Sequence, residues 1–268
     1  MKLKSKILLS LLATSSAAFA QTAPAAPEST IAYNIGVVSQ YRYRGLAQTK
    51  GQGAMQGGID YSNANGLYAG AWASQIQWIR DASQSSVTYK GGSELDLYGG
   101  YKFESNGLTY DVGFLAYQYV GNNLNTVVTS GSNNTQYANA NTNEVYGSVT
   151  SGPYTLKYSY AISTLFGYVG SKGSGYIDAT ANYDLGNGIT LSPHIGHQTV
   201  KGTSAAYYPG GLSYTDYSVT TSKDLGNGLS VSGAFVTTNA KTKTNFASNS
   251  TGYNTGKQTW VASIKYTF

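Results

Sequence analysis

Two histidines stand close together in the segment SPHIGHQ, His194 and His197, with Ser192 two positions before the first. A hydroxyl beside an imidazole is the beginning of a nucleophilic site, but such a site also needs a carboxylate to orient the imidazole. No Gly-x-Ser-x-Gly elbow surrounds Ser192, so the pairing reads as chance proximity. In an extended chain His194 shares a face with Ser192 while His197 takes the other, and imidazoles on opposite faces cannot share one metal ion without a bulge. Pro193 removes one ladder donor from this stretch and predicts a local irregularity. The glycine-rich pieces at 51–58 and 91–100 lack a Gly-Lys-Ser/Thr ending and a following helix, which excludes a phosphate loop. With no cysteine in the chain, thiolate metal sites and disulfides are absent as well. The expectation is a protein without catalytic residues, cofactor or metal.

The ionisable residues make sense once the elements that carry them are considered. The final stretch, KQTWVASIKYTF, alternates Trp260, Ala262, Ile264, Tyr266 and Phe268 on one face with Thr259, Val261, Ser263, Lys265 and Thr267 on the other. The same alternation recurs upstream. Leu95, Leu97, Tyr101 and Phe103 oppose Glu94, Asp96 and Lys102; Tyr110, Val112 and Phe114 oppose Asp111; Tyr154, Leu156, Tyr158, Tyr160 and Ile162 oppose Lys157. In the first such run, Tyr33, Ile35, Val37, Tyr41 and Tyr43 are placed opposite Asn34, Gly36, Gln40, Arg42 and Arg44. An exposed charge on a lipid face costs about 2–4 kcal/mol at the bilayer midplane, so a consistently uncharged aromatic face predicts lipid on that side and water on the other.

Turn signals NANGL, ESNGL, SGPY, LGNGI and LGNGL recur at roughly 40-residue intervals. They alternate with six longer polar connections, near residues 47–53, 79–92, 121–142, 165–173, 201–213 and 239–256. About twelve strands result, beginning near Ile31, Gly53, Leu67, Ser93, Leu108, Asn143, Tyr154, Gly175, Ile189, Tyr214, Leu229 and Lys257. The predicted fold is all-β: a closed antiparallel transmembrane β-barrel with short periplasmic turns and longer extracellular loops. Only 11% of residues are charged, against 33 Gly and 25 Tyr, which suits strands and tight turns rather than disorder. A propeller would need four short strands per repeat, and a β-solenoid would not alternate short and long connections.

The N-terminal segment has the form of an address. Lys2, Lys4 and Lys6, the apolar run Ile7 to Ala13 and the Ala18-Phe19-Ala20 site predict a secretory signal peptide over residues 1–20. Residues 21–30 form a short extension and 31–268 the outer-membrane barrel. Cleavage would leave 14 basic against 12 acidic residues, so the basic balance belongs to the signal and no nucleic-acid partner is implied.

The segments SQYRYRGLAQT (39–49), GGIDYSNANGLYAGAWAS (57–74) and SELDLYGGY (93–101) resemble the TorF-type porin family, formerly a family of conserved proteobacterial proteins of unknown function. Arg44-Gly45 and Asp96-Leu97-Tyr98 match its motifs, whereas Tyr119-Val120-Gly121 stands where that family often has Tyr-Pro. The resemblance implies an outer-membrane channel and names no solute.

The alternation places Arg42, Arg44, Glu94, Asp96, Lys102, Asp111, Glu144, Lys157, Asp178, His194, Asp216 and Lys265 on the lumen face as pore-lining residues. Basic groups on one wall and acids on others would set a transverse field. Inward aromatics such as Tyr98 and Tyr117 offer a path for sugars or aromatic solutes. Trp260, Ile264, Tyr266 and Phe268 form the membrane-assembly strand, the handle for the barrel-assembly machinery. The expected partners are outer-membrane lipid and small polar solutes, and the expected function is passive diffusion through a porin-like channel. A non-conducting structural barrel and a lipid-modifying enzyme are the alternatives.

Overall fold

The computed structural model describes residues 29–83, 88–125, 137–202, 211–240 and 252–268. The predicted signal peptide lies outside the described residues. The chain runs β1 (Ser29–Val38), β2 (Arg42–Tyr43), β3 (Leu46–Ala47), β4 (Ala54–Asn63), β5 (Leu67–Gln75), the helical turn α1 (Trp78–Asp81), β6 (Ser93–Ser105) and β7 (Leu108–Tyr119). It continues through β8 (Thr142–Ser151), β9 (Tyr154–Ala161), β10 (Gly175–Ala181), β11 (Tyr183–Gly186), β12 (Ile189–Thr199), β13 (Tyr214–Gly226), β14 (Leu229–Thr238) and β15 (Thr259–Thr267). All sheet neighbours are antiparallel, and β1 pairs with both β4 and β15, which closes the sheet into a barrel. Since β10 and β11 both pair with β12 and are interrupted only at Asn182, they form one stave, giving twelve staves in all.

Five short turns join staves at one end. Three of them, Asn106-Gly107, Asn187-Gly188 and Asn227-Gly228, place both central residues at positive φ. That is the type I′ geometry whose twist matches a hairpin, and it explains the Asn-Gly signals. The long connections gather at the opposite end.

The two faces of the staves separate by burial. Outward residues such as Ile35, Leu97, Val112, Phe114, Leu156, Ile177, Val219 and Ile264 are exposed and form an apolar belt. At the turn end Tyr33, Phe268 and Tyr266 stack in sequence, as do Tyr101, Phe103 and Tyr110. Such amphipathic rings anchor a barrel at the bilayer interface. A closed sheet with an apolar outer belt pairs its backbone groups stave to stave, as lipid demands. The molecule is a protein of the bacterial outer membrane.

Glycine and tyrosine abundance has a packing origin. Inward Tyr68 lies over Gly100, Tyr98 over Gly70, Tyr146 over Gly113 and Tyr176 over Gly196, so that a Cβ at any of these glycines would collide with a ring on a neighbouring stave. Pro193 keeps its register with Val219 on β13. The irregularity expected from it falls on the other side, where the β10–β11 break leaves the ladder open beside residues 192–193. Ser192 there donates its hydroxyl to Asn182 Oδ1 (2.7 Å).

Candidate functional site

The first long connection does not stay outside the barrel. β1 ends at Val38, where the Ser39 and Ala262 backbones join, and Ala262 N–H also donates to Ser39 Oγ (2.9 Å). The chain then turns inward and forms the β2–β3 hairpin, with Arg42 opposite Ala47 and Tyr43 opposite Leu46. Its two-residue tip, Arg44-Gly45, has both φ values positive (45° and 78°), again the type I′ pattern. Sequence alternation had extended the first strand through Arg44. The structure corrects this: Tyr41 is not on the lipid face but buried, Tyr43 packs inside with it, and Arg42 and Arg44 belong to the hairpin. A period-two pattern cannot distinguish a continuing strand from one that folds back, and only the Arg-Gly pair carried the turn signal.

The hairpin crosses the lumen from wall to wall. On one side Tyr41 donates to Glu94 Oε1 (3.0 Å) and meets Trp72 edge-on, while the Tyr43 and Tyr117 hydroxyls share a hydrogen bond (2.5 Å). At the tip, Arg44 Nη1 donates to Glu144 Oε1 (3.0 Å) and Gln198 Oε1 (2.7 Å), and Nη2 donates to Glu144 Oε2 (2.7 Å). This two-pronged pairing joins the hairpin to β8 and β12 at once. The guanidinium also lies 4.3 Å from the Tyr176 ring centroid and 4.9 Å from that of Tyr43, a cation–π arrangement. Gly45 presses on the far wall: a Cβ there would sit 2.5 Å from Thr238 Cγ2 and 2.6 Å from Asp216 Cβ. Arg42 donates to Gln40 Oε1 (3.0 Å), Gly45 O (3.1 Å) and Thr255 O (2.6 Å), tying the hairpin to the last loop. Above it Ile76, Ile79, Leu115, Tyr119 and Leu124 complete a buried plug.

Asp96 lies within that plug. Its side chain is wholly buried, and neither carboxylate oxygen has a hydrogen-bond partner among the described residues.

Beneath the hairpin the lumen divides. On the β4–β8 side, Tyr98 bonds Asp60, Tyr68 donates to Asp111 (2.6 Å) and bonds Tyr146, and Lys157 Nζ sits 4.0 Å from the Tyr146 ring centroid. Lys102 stands opposite Asp111 in register. These side chains bond one another across that half.

On the β9–β15 side a cavity of about 710 Å³ runs from the hairpin down to Gly188, Gly228 and Thr267 at the turn end. Lys157, Asp178, His194, Asp216 and Lys265 line it, among many serines and threonines. Asp178 stands opposite Lys157 in register. His194 is held between two carboxylates: Nε2 is 3.2 Å from Asp216 Oδ1 and Nδ1 is 3.9 Å from Asp178 Oδ1. Tyr176 donates to Asp216 Oδ2 (2.9 Å), and the Thr180 hydroxyl lies 3.0 Å from His194 Nδ1. A hydroxyl, an imidazole and a carboxylate are therefore in line, although the hydroxyl is that of Thr180 rather than Ser192. An acyl-transfer site would also need a pair of amide donors aimed at an oxyanion, whereas β10 and β13 on either side of His194 are paired in register with the neighbouring staves. His197 points outward and pairs with Thr215 Oγ1 (2.9 Å). The described residues hold no group of three or more acidic, histidine or cysteine side chains arranged for a metal ion.

A family model described as "Bacterial protein of unknown function (Gcw_chp)" matches residues 21–268. The chain belongs to the Gcw_chp family. No curated protein sequence matches this Gcw_chp member. Among solved structures it is similar to the NanC porin, with 8% identity, a TM-score of 0.51 and 88% of this chain covering 99% of that one. A KdgM porin (11% identity, TM-score 0.48, 90% and 99% covered) and the COG4313 outer membrane channel from Pseudomonas putida F1 (12%, 0.44, 92% and 99%) also match. At these identities the likeness to NanC is one of fold.

Proposed function

We propose that this Gcw_chp protein is an outer-membrane channel for passive diffusion of small polar solutes, shut in the conformation described by its β2–β3 hairpin. The observation that carries this reading is the polar cavity of about 710 Å³ inside a lipid-belted barrel, reaching from the turn end to the hairpin. A barrel serving only as a scaffold has no need of so large an unfilled polar lumen. The resemblance of 39–49, 57–74 and 93–101 to TorF-type porins supports the same reading. So does the start of the family match at Gln21, which fits removal of residues 1–20 on export. The strand carrying Trp260, Ile264, Tyr266 and Phe268 is the segment we assign to the barrel-assembly machinery.

The second reading, a non-conducting barrel, is favoured by one observation: the hairpin contacts both walls, at Glu94 on β6 and at Asp216 and Thr238 on β13 and β14. Planar-bilayer recording separates the two. The wild type should show mostly closed traces with brief openings. A variant in which residues 40–48 are replaced by a short Gly-Ser linker should conduct steadily. Absence of current from that variant, folded by its heat-modifiable migration, would establish the non-conducting barrel instead.

A further inference from the structure

The cavity beneath the hairpin has a composition of its own. Inward positions of β12–β15 place Thr190, Ser192, Ser218, Thr220, Ser230 and Ser263 along one wall. Ala234, Val236 and Val261 lie between them and give apolar contact. Ser192 donates to Asn182 Oδ1 (2.7 Å), Ser230 to the Lys265 carbonyl (3.5 Å) and Ser263 shares a bond with Ser232 (2.7 Å), which leaves lone pairs on these three as acceptors, while Thr190, Ser218 and Thr220 can take either role toward a ligand.

The charges that share the cavity are of both signs and stand close to one another. Arg44 is held by Glu144, and Arg42 spends its N–H groups on Gln40, Gly45 and Thr255. Asp178 faces Lys157 and His194, while Asp216 takes the Tyr176 hydroxyl and lies against His194. Asp224 accepts the Gly226 N–H (2.8 Å), and Lys265 lies in the field of Asp60. An ionised solute of either sign entering here would lose hydration and meet lysines and carboxylates together, so its attraction to one sign is offset by repulsion from the other. An uncharged polyol would exchange hydrogen bonds with water for hydrogen bonds with serine and threonine at little cost, and its C–H faces would meet the alanine and valines.

We infer that this cavity is a binding site for an uncharged polyhydroxylated solute, in chemical terms a short neutral saccharide. Its volume lies within the ~300–1,000 Å³ of small-molecule sites. The inference rests on the channel reading for the solute's route, and it names the substrate class of that channel.

Saturation-transfer NMR on the full mature chain in detergent micelles tests it, with maltose, a uronic-acid disaccharide and an amino-sugar disaccharide as probes. Maltose should bind at least about fivefold more tightly than either charged probe. The combined variant Ser192→Ala, Ser218→Ala, Thr220→Val, still heat-modifiable, should weaken maltose binding at least about fivefold, as loss of several hydrogen bonds predicts. Equal or tighter binding of a charged probe, or unchanged binding in the variant, overturns the inference. Liposome swelling with the hairpin-replaced variant keeps the two readings apart. Maltose binding without any permeation sinks the channel and supports the site; permeation without preference for maltose sinks the site and leaves the channel.

Discussion

Gly45 carries more of the closed conformation than its size suggests. The space a Cβ would need is taken by Asp216 and Thr238 and the φ is 78°, so alanine there meets both a strained backbone and a wall. Gly45→Ala is expected to push the hairpin tip out of the lumen, raising single-channel open probability in planar bilayers while the barrel keeps its heat-modifiable migration. Asp96 works in the opposite sense. A buried carboxylate with no partner opposes the packing that buries it. Asp96→Leu, which puts a methyl where each unpartnered oxygen stands, should stabilise the plugged barrel by about 1 kcal/mol or more, measured by urea unfolding in lipid vesicles. At this scale the sequence was partly legible. Alternation alone assigns Lys102, Asp111, Glu144, Lys157, Asp178, His194, Asp216 and Lys265 to the face opposite the lipid, because a strand's geometry leaves no choice once its lipid face is known. The partners of those groups were not legible, because they lie on staves tens of residues away. Ser192 was the hydroxyl suggested for His194, yet the closer one, Thr180, sits on the adjacent stave.

The elements were the most legible level. Twelve predicted starts fall within two residues of the observed ones, because each stave is bounded by a local turn signal and carries a period-two pattern. The β2–β3 hairpin escaped for a related reason: its strands are two residues each, too short for any periodicity. The long connection at 121–142 carries no turn signal of this kind. Its residues 126–136 lie outside the described ones, whereas its flank at Leu124 packs into the plug. The turns themselves permit a controlled comparison. Gly107 and Gly228 both end type I′ turns at similar φ, 76° and 81°, but a Cβ at Gly107 meets nothing while one at Gly228 runs into the Thr267 carbonyl. Gly228→Ala should therefore lose about 1 kcal/mol more unfolding free energy than Gly107→Ala, the excess reporting contact rather than backbone strain.

For the molecule as a whole, the lipid belt is the property that decides stability. Leu97→Arg or Phe114→Arg should cost about 2–4 kcal/mol in vesicle unfolding, against little for Ser230→Arg, which faces the cavity. The barrel seam offers a second test: the Phe268 and Tyr33 backbones exchange hydrogen bonds of 2.9 Å in both directions and their rings stack, so deleting Phe268 should lower the membrane-assembled, heat-modifiable fraction. That seam and the hairpin also impose an order in time. Arg42 reaches a carbonyl 213 residues away, and Gly45 needs β13 and β14 as its wall. The segment that stoppers the lumen is thus among the first parts of the barrel to be synthesised, while the seat it occupies is completed only by staves made late. On the channel reading, a newly inserted molecule passes through an unstoppered interval whose length is set by how fast the β2–β3 hairpin docks.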